Sequence, residues 1–245
     1  MTGRHNVADD DLMHEYSEGF YSYIGSGSHA SASVVVPLVK SAVSAQTVLD
    51  VGGGNGVWAR VWEQNGVKAT LVDGEYVRSP LVEDFQPRDL SRPLDLGRRF
   101  DLVQSLEVAE HLPETSARDF VGSLVRHGDV VLFSAAVPGQ GGEHHVNEQP
   151  PEYWRALFAE QGYACFDFLR DRLRGRREVR PWYRYNTLIY ANEAGQKRLS
   201  PEILATQVGK ADAAGDFAWR LRIGVVRFLP RAAVDRIAML MARIS

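Results

Sequence analysis

The sequence predicts an α/β protein: a doubly wound, mostly parallel sheet of seven strands with helices on both faces, plus a helical tail at the C-terminus. Three observations carry that prediction. Short apolar runs of strand length alternate with helix-length runs through the middle of the chain, the pattern left by parallel strands joined through crossovers. The first such strand ends in an acid and runs straight into a glycine loop, Asp50-Val51-Gly52-Gly53-Gly54-Asn55-Gly56. Past residue 195 the chain becomes basic and its apolar residues take helical spacing. A chain of 245 residues, 44% of them hydrophobic, can bury one full core. The expected organisation is therefore an N-terminal helical cap over 1–46, a core over 47–195 and a basic amphipathic tail over 196–245.

Before about residue 30, Tyr16, Phe20, Tyr21 and Tyr23 are followed by Gly25-Ser26-Gly27-Ser28, which predicts a short helix and then a flexible connection. Strands are predicted at 47–51, 69–73, 100–106 and 129–134. Helices are predicted at 57–64, 116–126 and 152–161, the last opened by Pro150 and Pro151. Two further strands, 163–169 and 186–191, follow with no helical pattern between them, and a hairpin-like pair at the far edge of the sheet is expected. No internal repeat is present.

A formal net charge of -3 gives no overall drive toward nucleic acid or an anionic membrane, so any basic surface must be local. The single cysteine, Cys165, lies in a strand-like run and reads as an inert core residue that fits a reducing compartment. The N-terminal residues show no charged n-region followed by an apolar stretch, and a cytoplasmic protein is expected.

The glycine loop sets up a tight turn, lets a ligand approach the backbone and aims a helix N-terminus at it. A dinucleotide fingerprint starting at Gly52 would need glycine at position 57, where Val57 stands, and Asp50 would face a diphosphate. An acid there suits a cation instead. On Asp50, Gly52, Gly54 and Gly56 the chain resembles the class I S-adenosylmethionine-dependent methyltransferases, whose core is Rossmann-like, and the resemblance runs from 47 to about 192. It implies S-adenosylmethionine as cofactor, Asp73 at the end of the second strand on the ribose hydroxyls, and Asp89 with Leu90, after the third strand, on the adenine. Leu106 would wall the cofactor. Carboxylates suit these roles, since they accept hydroxyl and amino donors.

The run Glu107-Val108-Ala109-Glu110-His111 resembles the E-x-x-E-H segment of methyltransferases that act on hydroxyls in ubiquinone biosynthesis or on the terminal 2′-hydroxyl of small RNAs. That resemblance implies a divalent metal (Mg, Mn, Fe or Zn) at Glu107, Glu110 and His111, joined by His145 or its neighbour His144. Positions i, i+3 and i+4 share one face of a helical turn, and the loops after the fourth and fifth strands meet at the carboxyl edge of the sheet. A competing reading makes the acids caps and the histidine packing, with no metal; His145 or His144 is then the expected general base.

The expected activity is methyl transfer to a hydroxyl of a small polar or glycosylated metabolite, anionic substrates included. Rivals are N- or C-methylation with a histidine base, a non-catalytic methyltransferase-like scaffold, and an NAD(P)-dependent oxidoreductase. The arginine-rich run 170–180, followed by Trp182-Tyr183-Arg184-Tyr185, reads either as an anion-binding loop or as a solvated surface. From Phe217 onward six arginines stand against one aspartate, a composition suited to an anionic membrane surface, a second subunit or docking on the chain's own domain.

Overall fold

The computed structural model describes residues 18–229 and the single positions 233 and 236; the start of the expected cap and the end of the expected tail lie outside the described residues. Its strands are β1 (Thr47–Val51), β2 (Lys68–Asp73), β3 (Phe85–Pro87), β4 (Leu102–Leu106), β5 (Val130–Ser134), β6 (Ala164–Phe166), β7 (Leu188–Ala191) and β8 (Gln207–Val208). They form one sheet in the order β3-β2-β1-β4-β5-β7-β6-β8. β1 to β5 pair in parallel, while β7 runs antiparallel to both β5 and β6, and β8 antiparallel to β6.

The central strands are almost wholly buried because helices cover both faces. On one side α1 (Glu18–Ala42) and α2 (Val57–Gln64) bury Val35, Val39, Trp58 and Trp62 against the sheet. On the other, α3 (Ala117–His127) and α4 (Pro151–Glu160) bury Phe120, Leu124, Trp154 and Phe158. Strand order reverses between β1 and β4, and the loops after these two strands open at that switch point. No helix among the described residues is long and apolar enough to cross a membrane.

Four sequence expectations change. The Gly25–Ser28 segment is no connection, since α1 runs through it. Gly27 leaves room for the Arg180 side chain, since a Cβ there would come within 2.3 Å of its guanidinium. Ser31 Oγ, meanwhile, donates to Gly27 O and accepts from Arg180 N. The segment between the last two predicted strands is partly helical, as α5 (Leu169–Arg172) and α6 (Pro181–Asn186), so those strands shorten to β6 and β7. They do pair, but β7 enters the sheet beside β5 and leaves β6 further out. Finally, the sheet has eight strands rather than seven, because residues assigned to the tail supply β8 after α7 (Glu193–Gln196) and α8 (Pro201–Leu204). A helix of the expected tail follows as α9 (Phe217–Val226).

Candidate active site

The first half of the site sits at the ends of β1 and β2. Gly52, Gly54 and Gly56 take φ of 80°, 59° and 87°, left-handed values that a branched side chain resists. A Cβ on Gly52 would meet Val108 at 2.5 Å, and one on Gly53 would meet Asp50 Oδ2 at 2.4 Å, so the loop lies tight over the acid. Asp50 is buried. Its Oδ1 accepts from Gln104 Nε2 at 2.9 Å, its Oδ2 makes no hydrogen bond of ordinary geometry though the Ala59 backbone N–H lies near enough to favour its charge, and burial pushes its pKa up to about 7. Gln104 is itself held by Trp62 Nε1 at 2.9 Å.

Asp73 ends β2. Its Oδ2 accepts from Gly54 N at 2.7 Å, and its Oδ1 accepts from Gly74 N at 2.7 Å and from the Tyr76 hydroxyl. Burial raises its pKa, against those hydrogen bonds. Asp89 is different: it is exposed, its Oδ1 accepts from Ser91 N and Ser91 Oγ, and its Oδ2 pairs with Arg92 Nε at 3.2 Å. That carboxylate closes a turn, and Leu90 beside it packs half-buried against the α3–α4 side. Leu106, the last residue of β4, is buried on the α1–α2 side.

A cationic adenosyl cofactor fits these residues: a buried carboxylate oxygen stands without a hydrogen bond of ordinary geometry under a loop that glycine alone can line, with a second carboxylate 23 positions further on at the next strand end.

The second half of the site lies at the ends of β4 and β5. Glu107 takes φ 56°, and its backbone N–H reaches Ser134 O at 3.0 Å. Its Oε2 accepts from Gln140 Nε2 at 2.6 Å and its Oε1 from Asn186 Nδ2 at 3.2 Å; burial raises its pKa. Glu110 is fully buried, and neither of its carboxylate oxygens makes a hydrogen bond of ordinary geometry, although the backbone N–H groups of Glu110 and Ala136 lie near enough to favour its charge. Burial first, and the neighbouring Glu107 charge second, hold its pKa well above the usual carboxylate range. The backbone oxygen of Glu110 accepts from Val146 N at 2.9 Å and Asn147 N at 3.0 Å, pinning the loop after β5 to the turn after β4.

That pinning brings His145 beside His111, with ring centroids 5.0 Å apart. One ligand-type atom from each of Glu110, His111 and His145 lies within 4.8 Å of the others. Of the four residues expected around a metal, Glu107 thus stands outside the group, because Gln140 and Asn186 engage its carboxylate. His144 is exposed at φ 57° and lies outside it as well.

His145 Nδ1 is 2.9 Å from Glu148 Oε1. Glu148 also accepts from Gly139 N at 2.7 Å and Gly141 N at 2.8 Å. Burial works against its charge, but these N–H groups and His145 hold its pKa low. Sequence reasoning assigned no role to Gln104, Tyr76, Gln140, Glu148 or Asn186. Gln104 alone left a signal, as an amide in the middle of an apolar strand. Of the two readings for the arginine-rich run, local charge balance describes most of it: Arg170, Arg172, Arg174 and Arg176 pair with Asp167, Glu202, Asp171 and Glu178. Cys165 is buried, which pushes its thiol up to about 12.

A parallel sheet with an antiparallel β7 inserted, an acid and a glycine loop at the switch point, and acids at the next strand ends together define a class I methyltransferase fold. The family described as "Methyltransferase domain" matches residues 28–167, more than half of the chain, and the chain belongs to that family. No curated protein sequence matches it.

Similar solved structures include the sugar N-methyltransferase KedS8 from Streptoalloteichus sp. ATCC 53650, at 19% identity and TM-score 0.57, covering 78% of this chain and 98% of that one. CalS10, an amino pentose methyltransferase from Micromonospora echinaspora solved with S-adenosylmethionine bound, is 17% identical with TM-score 0.53, covering 74% and 100%. An O-methyltransferase family protein from Burkholderia thailandensis is 16% identical with TM-score 0.51, covering 69% and 56%. The chain thus spans just over half of the Burkholderia protein, as it does of DesVI from Streptomyces venezuelae, at 58%. At these identities the likeness is one of fold.

Proposed function

We propose that the chain transfers the methyl group of S-adenosylmethionine to a hydroxyl of a small sugar-type metabolite, with Glu110, His111 and His145 placed to hold a divalent cation that would acidify the acceptor hydroxyl. The observation that carries this reading is the grouping of Glu110, a fully buried carboxylate with no hydrogen bond of ordinary geometry on either oxygen, with the imidazoles of His111 and His145. Folded proteins rarely leave such a group without a well-formed hydrogen bond, and a cation would supply a partner.

The cofactor brings a methyl group on a sulfonium centre, which leaves as a neutral thioether in direct displacement. The chain's own part is alignment. Asp50 presents a carboxylate to a cation, and Asp73 offers acceptor oxygens to the ribose once Tyr76 yields its place. Glu148 orients His145, as a carboxylate behind a ligating imidazole commonly does. A cation of the Mg, Mn, Fe or Zn type bound there would lower the pKa of the acceptor hydroxyl. The sugar-type acceptor is suggested by KedS8 and CalS10, whose whole lengths the chain matches.

The His145–Glu148 pair also favours a second reading, in which no metal binds and His145 takes the proton from an amine of an amino sugar. Metal analysis of the purified protein, with methyl transfer to a panel of hydroxyl- and amine-bearing sugar nucleotides before and after chelation, separates the two. Bound metal, hydroxyl products and loss of activity on chelation support the first. Amine products indifferent to chelator, from protein without metal, support the second. Absence of methylated product from every acceptor, despite cofactor binding, counts against sugar acceptors altogether.

A further inference from the structure

α9 gives one face to the domain and the other to solvent. On the inner face Trp219 is buried, its ring centroid 5.8 Å from that of Tyr185, while Asp216 caps the helix by accepting from Trp219 N and the Tyr185 hydroxyl. Ile223 and Arg227 press against Gly139, where a Cβ would meet Arg227 Cβ at 2.9 Å. On the outer face stand Phe217, Leu221 and Val225, continued by Phe228 in the turn just after the helix, the two phenylalanines 82% and 83% exposed. At roughly 100° per residue the three helical positions fall on one stripe. Arg220 and Arg227 border the stripe on one side and Arg222 on the other, and residues 217–229 contain no acid.

We propose that α9 docks on an anionic lipid surface, its apolar stripe entering the boundary between headgroups and acyl chains while the flanking arginines meet headgroup phosphates. α9 is apolar on both faces, since Trp219 and Ile223 turn to the domain, so the helix as a whole is weakly amphipathic; what suits an interface is its exposed stripe, edged by arginines with an aromatic residue at each end. Charge complementarity selects lipid over a second copy: two such helices laid face to face would set guanidinium against guanidinium, with no acid on either to answer it. The sequence beyond residue 229 adds Arg231, Arg236 and Arg243 against Asp235 alone, continuing the same balance.

The docking has a consequence for the site. A cavity of about 320 Å³ is lined jointly by Gly139, His145 and Glu148 of the loop after β5 and by Val226, Arg227 and Leu229 at the end of α9. Docking through the outer face of α9 holds that cavity close to the headgroups, and suits an acceptor carried in the membrane interface. This consequence rests on the reading of His145 given above; the docking itself does not.

The test is flotation of the full chain with phosphatidylcholine vesicles and with vesicles of phosphatidylcholine mixed with phosphatidylglycerol. Binding to the mixed vesicles is expected to be at least ~10-fold tighter than to the neutral ones and to weaken with added salt. Phe217→Ser with Phe228→Ser is expected to lower it at least ~10-fold, leaving sedimentation velocity and adenosylhomocysteine affinity unchanged. No binding to mixed vesicles, equal binding to both kinds, or unaltered binding by the double variant overturns the proposal. A change of oligomeric state in that variant also overturns it, and assigns the stripe to a protein interface. Because adenosylhomocysteine affinity is read separately, failure to float leaves the methyl-transfer reading standing.

Discussion

The two halves of the site handle backbone strain in opposite ways, while each pairs one buried acid with donors and leaves another short of them. At the ends of β1 and β2 the left-handed backbone positions are glycines, and Asp73 has a donor on each carboxylate oxygen. At the ends of β4 and β5 the left-handed positions include Glu107 and His144, the two non-glycine residues with positive φ among those described. There Glu107 has a donor on each carboxylate oxygen, and Glu110 makes no hydrogen bond of ordinary geometry, as Asp50 Oδ2 makes none in the first half. Left-handed backbone at a non-glycine residue costs on the order of 1 kcal/mol and persists where surrounding contacts hold it. The first half is built to admit a ligand backbone-close, and the second holds its side chains in place at a cost in local stability. The difference accords with the proposal that the first half cradles the cofactor and the second holds the acceptor.

The largest expected effect breaks the cradle. Gly52→Val adds a branched side chain at φ 80° and against Val108, and is expected to weaken adenosylhomocysteine binding by more than ~100-fold by calorimetry. Circular dichroism checks that the fold survives. If binding persists at wild-type strength in the folded variant, the cofactor does not sit on this loop. Next comes the acceptor half. Glu148→Gln removes the charge that orients His145, and methyl transfer is expected to fall roughly 10- to 100-fold with adenosylhomocysteine affinity unchanged. Equal losses in both would erase the distinction between the halves.

A smaller effect concerns the pH dependence of Asp50. Its folded pKa lies near 7, above the ordinary 3.8, so the stability it contributes is complete below about pH 4 and is lost as pH rises through 7. In protein without cofactor, Asp50→Asn is expected to flatten that decline and raise the melting temperature at pH 8 by on the order of 5 °C. A pH profile of unfolding identical to that of the wild type would place the charge cost elsewhere.

The cradle was the more legible half in the sequence, because its signals are local. A strand ending in Asp50, three glycines at fixed offsets and an acid closing the next strand are written within a single stretch of chain. The acceptor half depends on pairings between distant residues. That Gln140 and Asn186 close on Glu107, or that the Glu110 backbone oxygen fixes the loop carrying His145, follows from the register of β4, β5 and β7, which composition does not encode. The same limit explains the N-terminal error. Gly25 and Ser26 weaken a helix on propensity alone, and the close approach of the Arg180 side chain to Gly27, which leaves no room for a Cβ, appears only in the folded chain. β8, two residues long, is too short to leave a periodic signature.

The smallest expected effect tests where the cradle ends. The resemblance put Asp89 on the adenine, yet its carboxylate is exposed and occupied by Ser91 and Arg92. A turn of this kind contributes little to the fold, so Asp89→Ala is expected to change unfolding free energy by no more than about 0.5 kcal/mol. If the carboxylate also accepts a hydrogen bond from the adenine, adenosylhomocysteine affinity falls about 10-fold at the same time. The ratio of the two effects is what decides. A 10-fold loss with unchanged stability extends the cradle to Asp89, whereas parallel, small changes in both confine it to the Asp50 and Asp73 strand ends and leave the adenine to be held by backbone and by Leu90.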